Sequence, residues 1–362
     1  MLIYVVLFIF FAAIAIEYDL KPFNNNYTLL AIIILLGLFA GFRGENAARD
    51  YESYKIIFDF VYDLSSNSNT GFLPLFEPGF ISIVLFFRSL FDVNYALAIM
   101  LFYAFVSLTL KVFCFNRLSI FPYLAILFYF SHYFFLHEMI QIRIGLATAI
   151  FFFSLIFYLK DQRAKFILII IVATFFHYSA IFYLLLLGFN SKYFNKSFYA
   201  SLIGISLILG YLKIPILNFL GWVDLATVSE KYNDYLEKVQ SGVVESINYF
   251  NVLTILDIIL SLYFIFVIPK KLLIEDKMIG LSLKCNVLSI FFFGALSGIP
   301  SLTFRISELF GVASIFLYAS LVKYLPFGKF NILPTILIAA FIFYTIVFHA
   351  DMIYPYYFTR IK

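Results

Sequence analysis

The residues of this chain able to do chemistry are the few charges that interrupt long apolar runs. A charged side chain deep in hydrocarbon costs at least about 2.5–3.5 kcal/mol, so one that is retained marks a pathway or a site. Arg143 opens the segment QIRIGLATAI, with Gln141 two residues back and Glu138 earlier still. Two readings stand open for it: an interfacial arginine reaching lipid headgroups, or part of a site wall, to which the small neighbours Gly145, Ala147 and Ala149 incline. Arg305 precedes Glu308 by three residues, the spacing of a local helix ion pair or of a second site cation. His177 sits mid-run in ATFFHYSAIF, either a satisfied core histidine or a functional one. The stretch GFRGENAARDYESYK gathers Arg43, Asp50, Glu52, Tyr51 and Tyr54 just beyond an apolar run. Asp50 and Glu52 make a D-x-E pair, oxygen ligands of the kind a divalent ion takes, although acidic pairs at this spacing are common. Glu77 stands before Pro78 and Gly79, as a site carboxylate or as a helix cap. No HExxH and no Cys-based ligand set is present, and neither a metal nor a cofactor is expected.

These side chains must be positioned by helices in a bilayer. Of 362 residues, 64% are hydrophobic, including 50 Phe and 27 Tyr, while Lys and Arg number 25 and Asp and Glu 21. Soluble domains are about 25% charged, so one aqueous core could not hide this much apolar surface. At about 20 residues per helical crossing the apolar content sets a ceiling of roughly eleven spans. The expectation is an all-α polytopic membrane protein of about 10–12 transmembrane segments, some short, re-entrant or broken, forming one transmembrane domain over 1–362. The net charge of +4 is spread over short loops, so nucleic acid is not expected as a partner, and membrane lipids are. The segment 2–16 has no basic leader and no small-residue cleavage site, and reads as a retained first helix.

Orientation follows from where Lys and Arg gather. The stretches 160–165, 269–277 and 323–329, with Lys196, are the cytoplasmic candidates. They agree only if the run 166–189 breaks near His177 into two short limbs that enter and leave by one face. Each limb would reach only about 16 Å, half the hydrocarbon core. The run 80–91 is then a short helix that does not cross. About ten full spans remain, with both termini outside. The polar stretch 43–79 becomes an outer loop, and 221–248, apolar at Val228, Tyr232, Tyr235 and Val239, an outer amphipathic helix. On this topology Arg43, Asp50, Glu77, Arg143, Arg305 and the YPYY tail converge on the outer face, although none of them entered the bookkeeping. Elsewhere, Asp257 and Lys284 are expected to form a structural ion pair, and His132, His137 and His349 to lie at the interface.

In order, Arg43 with Asp50, Tyr51 and Tyr54, then Glu77-Pro78-Gly79-Phe80, then Arg143 with Leu146 and Ala147, then Phe176-His177-Tyr178-Ser179-Ala180, then Arg305, resemble the Wzy-type polysaccharide polymerases of the EpsG-like branch. One departure is the glutamine that follows the helix-start arginine in that family: Ile144 stands here, and a glutamine lies instead at 141. The resemblance implies a GT-C-like helical bundle in the bacterial cytoplasmic (inner) membrane with an outward-facing active site. It implies a glycosyltransferase that joins repeat units of O antigen, capsule or exopolysaccharide carried on undecaprenyl diphosphate. Within that reading Arg143, Arg305 and Arg43 hold the diphosphate, Asp50, Glu77 or His177 takes the acceptor proton, and Tyr51 and Tyr54 contact sugar. A flippase and a chain-length regulator are the partners that the family implies. A transporter of lipid-linked oligosaccharide and an O-antigen ligase are the competing functions.

Overall fold

The computed structural model describes residues 1–19, 26–44, 47–66, 76–189, 193–212, 247–297, 300–350 and 352–357. The 221–248 amphipathic expectation lies, but for its last two residues, outside them. Every named element is helical, and the one β-type pairing among the described residues is an isolated bridge between Ala48 and Ile353. This is an all-α polytopic membrane protein. Among the described residues four helices are long and apolar enough to cross a bilayer, or five if one bent pair is counted as a single span, and seven further apolar helices have 10–17 residues. The chain divides into two compact units, the first Met1–Leu187 with Tyr318–Lys362, the second Gly188–Leu317.

In the first unit, α1 (Leu2–Asp19) and α2 (Asn26–Gly41) precede a short irregular stretch and α3 (Tyr51–Ser66), so the polar segment 43–79 is partly helical. Helix α4 (Pro78–Leu90) starts where Pro78 supplies a preset φ at the first helical position. It is the short helix expected at 80–91. Helix α5 (Tyr95–Leu118) is the longest and packs against α2, α4 and α7. Asp19, at the end of α1, accepts hydrogen bonds from the backbone amides of Tyr123 and Leu124, meeting the free donors at the start of α6 (Pro122–Ser131). After α6 the chain forms a π-helical turn, Phe135–Ile140, and then α7 (Ile142–Tyr158).

The break expected near His177 is present. Helix α8 (Arg163–Thr174) ends three residues before it, and a 3-10 segment, Tyr178–Gly188, begins just after it. The turn into α8 places Asp161 at φ 60, which Asp tolerates better than most residues. Three contacts fix the path. Phe166 near the start of α8 packs on Tyr158 at the end of α7, with ring centroids 5.2 Å apart. The Tyr158 hydroxyl donates to the Leu186 carbonyl at 3.0 Å, and Tyr183 stacks on Phe151 at 3.6 Å. Both limbs therefore lie along α7, one running toward its start and the other back, with His177 at the reversal. Twelve residues of α-helix and eleven of 3-10 helix advance about 18 and about 22 Å, so each limb is shorter than a hydrocarbon core of about 30 Å.

The C-terminal tail closes over the loop after α2. Gly44 N–H donates to the Tyr357 carbonyl, and Tyr354 N–H to Ala47 at 3.3 Å. The Tyr4 hydroxyl donates to the Tyr354 carbonyl at 2.9 Å, and the Tyr356 ring stacks on Phe39 at 4.1 Å. The tail that converged with Arg43 in sequence thus shares a small sheet-like contact with its loop. The last helix of this unit, α15 (Ile332–Tyr344), packs on α6 and α1.

The second unit holds α9 (Lys196–Leu212), α10 (Val252–Phe266), α11 (Lys270–Glu275), α12 (Lys277–Ala295) and α13 (Pro300–Gly311). Asn251 and Asp276 cap α10 and α12, accepting from Thr254 N at 3.0 Å and Ile279 N at 3.2 Å. Lys284 donates to the Tyr193 carbonyl at 2.8 Å, and the Asp257 carbonyl accepts from Asn286 at 3.2 Å. The apolar run 303–321 turns at 312–313, where α13 gives way to α14 (Ser314–Tyr324).

Candidate active site

Three segments far apart in sequence meet at Glu77. The start of α4 supplies the carboxylate, the start of α7 supplies Arg143, and the α8 reversal supplies His177. Arg143 donates through Nη1 to Glu77 Oε2 at 2.6 Å, and His177 Nδ1 lies 3.2 Å from Glu77 Oε1. The Tyr178 backbone N–H points at the same oxygen at 3.4 Å. Glu77 is 4% exposed and His177 6%, so the charge is shielded from water and shared among donors, the condition that makes a buried carboxylate tolerable.

Backbone locks hold the segments together. Gly79 N–H donates to the Phe175 carbonyl at 2.8 Å, and the Tyr178 hydroxyl donates to the Phe76 carbonyl at 2.9 Å. A Cβ at Gly79 would lie 2.7 Å from the Phe175 oxygen, so glycine is what allows α4 to begin against the reversal. The Arg143 guanidinium also covers the Phe80 ring, 4.9 Å from its centroid, a cation–π contact beside the ion pair.

The electrostatics follow from this crowding. Burial works to raise the Glu77 pKa, but the His177 hydrogen bond and the Arg143 charge outweigh it and hold the carboxyl at about 2. A carboxylate so stabilised is a poor proton acceptor. Its geometry suits it to orient the imidazole: accepting from Nδ1–H leaves Nε2 as the basic atom.

The other sequence-derived candidates are distributed as follows. Tyr54, on α3, is 7% exposed and within interaction range of Arg143. Asp50 lies one turn before it, partly exposed, with its backbone carbonyl accepting from Tyr54 N–H at 3.0 Å. Tyr51 is buried, and its ring is 5.8 Å from the Arg43 guanidinium. Arg43 is fully buried, donating to the Ala40 carbonyl at 2.6 Å and to Met100 Sδ at 3.1 Å. Arg305 is exposed on α13 of the second unit. Among the described residues no group of three or more His, Cys, Asp or Glu could hold a metal ion.

A second buried polar cluster went unread in the sequence. Lys111, on α5, is fully buried and pairs with Glu138 Oε1 at 2.8 Å. Ser107 and Tyr129 donate to the same oxygen, at 2.7 and 2.5 Å, and Lys111 Nζ is 3.5 Å from His137 Nδ1. Ser107 and Thr148 both donate to the Gly145 carbonyl, at 3.0 and 2.8 Å, so the cluster grips the first turn of α7. Glu138 is thus the partner of Lys111, His137 is fully buried, and His132 is half-buried. The signal was a lysine in the middle of the run 95–115. Tyr178 was also missed as a site residue, although it directly follows His177.

A polytopic helical membrane protein with a buried carboxylate shared by a guanidinium and an imidazole is the class that the fold and the site define. The chain belongs to the EpsG family, whose model matches residues 26–358, nearly its whole length; this is a family of Wzy-like polysaccharide polymerases. No curated protein and no solved structure matches the chain.

Proposed function

We propose that this protein is a glycosyltransferase that elongates a surface polysaccharide on a lipid carrier, at the outer face of a bacterial inner membrane. The growing glycan would pass from undecaprenyl diphosphate to a hydroxyl of the next lipid-linked repeat unit. The observation that carries the reading is the Glu77 carboxylate held by Arg143 on one oxygen and by His177 on the other. Transfer needs a base at the acceptor hydroxyl and a cation at the departing diphosphate, and one carboxylate here orients both.

In the proposed step His177 Nε2 takes the acceptor proton as the acceptor oxygen bonds to the anomeric carbon. The bond from that carbon to the diphosphate oxygen breaks, and its electron pair leaves with the diphosphate. The guanidinium nitrogens of Arg143 not engaged by Glu77 meet the charge that develops there. Arg43, buried behind Tyr51, contributes its charge without direct contact. Arg305 is a separate diphosphate-contact candidate, and Asp50 a less enclosed alternative to His177 as base. Tyr178, 48% exposed, presents its ring to sugars, and the buried Tyr54 and Tyr51 are the further sugar-contact candidates. A GT-C-like bundle would bring the polyprenyl chain in from the lipid side. A flippase would supply the substrate and a chain-length regulator would set its final size.

The test is elongation by the purified protein in liposomes with undecaprenyl-diphosphate-linked repeat units alone. A ladder of lipid-linked glycans is expected, and its absence with active substrate rejects the reading. Transport without elongation would make the protein a flippase, and transfer only to a lipid A core sugar would make it a ligase. His177→Ala should lower kcat by about 10²–10⁴-fold, the usual worth of a general base.

A further inference from the structure

Helix α5 carries a polar face that the proposed mechanism leaves partly unused. Met100 receives the Arg43 guanidinium, and Ser107 donates to the Gly145 carbonyl, two residues beyond Arg143. Tyr103 stands three residues after the first and four before the second, so helical spacing sets it on the same face, between the two arginine-bearing segments. Its electrostatic neighbours are Tyr54, Arg143 and Glu77. The ring is fully buried, yet the hydroxyl has no hydrogen-bond partner among the described residues. A phenol in such a place normally finds a partner. Around it Glu77 is already served by Arg143, His177 and Tyr178, so its neighbours do not call on that hydroxyl.

We infer that the Tyr103 hydroxyl is a substrate-binding group, donating a hydrogen bond to an anionic phosphate oxygen that Arg143 draws into the site. The chemistry is a phenol beside a guanidinium: the cation recruits the anion, and the neutral donor adds a charge-assisted bond without adding a further charge to a buried site. The inference rests on the reading of Arg143 as the phosphate contact.

Phenylalanine at this position keeps the ring and removes only the oxygen. The measurement uses the full-length protein in detergent with farnesyl diphosphate as the probe, comparing wild type, Tyr103→Phe and Arg143→Lys by calorimetry and thermal melting. Tyr103→Phe is expected to weaken binding about tenfold or more, while the unliganded protein melts at or above the wild-type temperature because an unsatisfied polar atom is gone. Arg143→Lys, which loses the planar fork, should weaken binding too. If Tyr103→Phe binds as wild type while Arg143→Lys does not, the tyrosine inference falls alone. If neither variant changes affinity, the phosphate reading of Arg143 falls with it. Unchanged binding with a lower melting temperature would mark the hydroxyl as a structural group and overturns the inference.

Discussion

The ionisable residues divide by what each one's partner lets it do. Glu77 is stabilised as an anion, so its contribution to folding is fully present above about pH 4.5, the ordinary carboxyl value, and is lost as pH falls toward about 2. Wild type should therefore lose thermal stability between those pH values more steeply than Glu77→Gln, as scanning calorimetry in detergent would show. Equal slopes would reject the assigned coupling. Lys111 and Glu138 form a closed pair with no exposure to speak of. Removing one member strands a buried charge, which costs about 3–5 kcal/mol, whereas replacing both by apolar residues of similar volume is often neutral. Lys111→Met alone should express poorly, and Lys111→Met with Glu138→Leu should recover folded protein by size-exclusion chromatography.

At the scale of elements, the site depends on two close backbone approaches. Gly79 lets the start of α4 touch the Phe175 carbonyl, and Gly145 lets α7 lie against the His137 carbonyl. In both places the atom that an added Cβ meets is backbone, so the neighbouring segment must move. A substitution at Gly79 displaces the His177 reversal from Glu77; one at Gly145 shifts the turn that carries Arg143. Gly79→Val is expected to leave a membrane-inserted protein whose elongation rate falls at least about 100-fold, because a misplacement of about 1 Å costs that much in positioned catalysis. Retained rate would show that the Gly79–Phe175 contact does not set the geometry.

For the whole molecule, the proposed orientation places Glu52 outside and Gln162 in the cytoplasm. Both are exposed, and the native Cys114 and Cys285 are buried, so background labelling is low. Glu52→Cys should react with an impermeant maleimide in intact cells, and Gln162→Cys only after permeabilisation; the reverse pattern would invert the topology. In cells, Arg143→Ala and Arg305→Ala should each yield single repeat units in place of long chains, read on glycan gels. Normal chain length in either removes that residue's assigned role.

Composition and run length by themselves determined the solvent and the helical class, because hydrocarbon burial and charge cost act on each segment separately, and the break at His177 followed from requiring the Lys- and Arg-bearing loops to share one side. The order of short motifs pointed to the EpsG family for a similar reason, since each motif is local. Which side chains touch was another matter. The sequence left Asp50, Glu77 and His177 as equal candidates for the base, and paired Glu138 with nothing; the folded chain gave Glu77 to Arg143 and His177, and Glu138 to Lys111. Residues 77, 143 and 177 are joined by no helical or strand period, so only the packing of α4, α7 and the reversal after α8 could bring one carboxylate within reach of both the guanidinium and the imidazole.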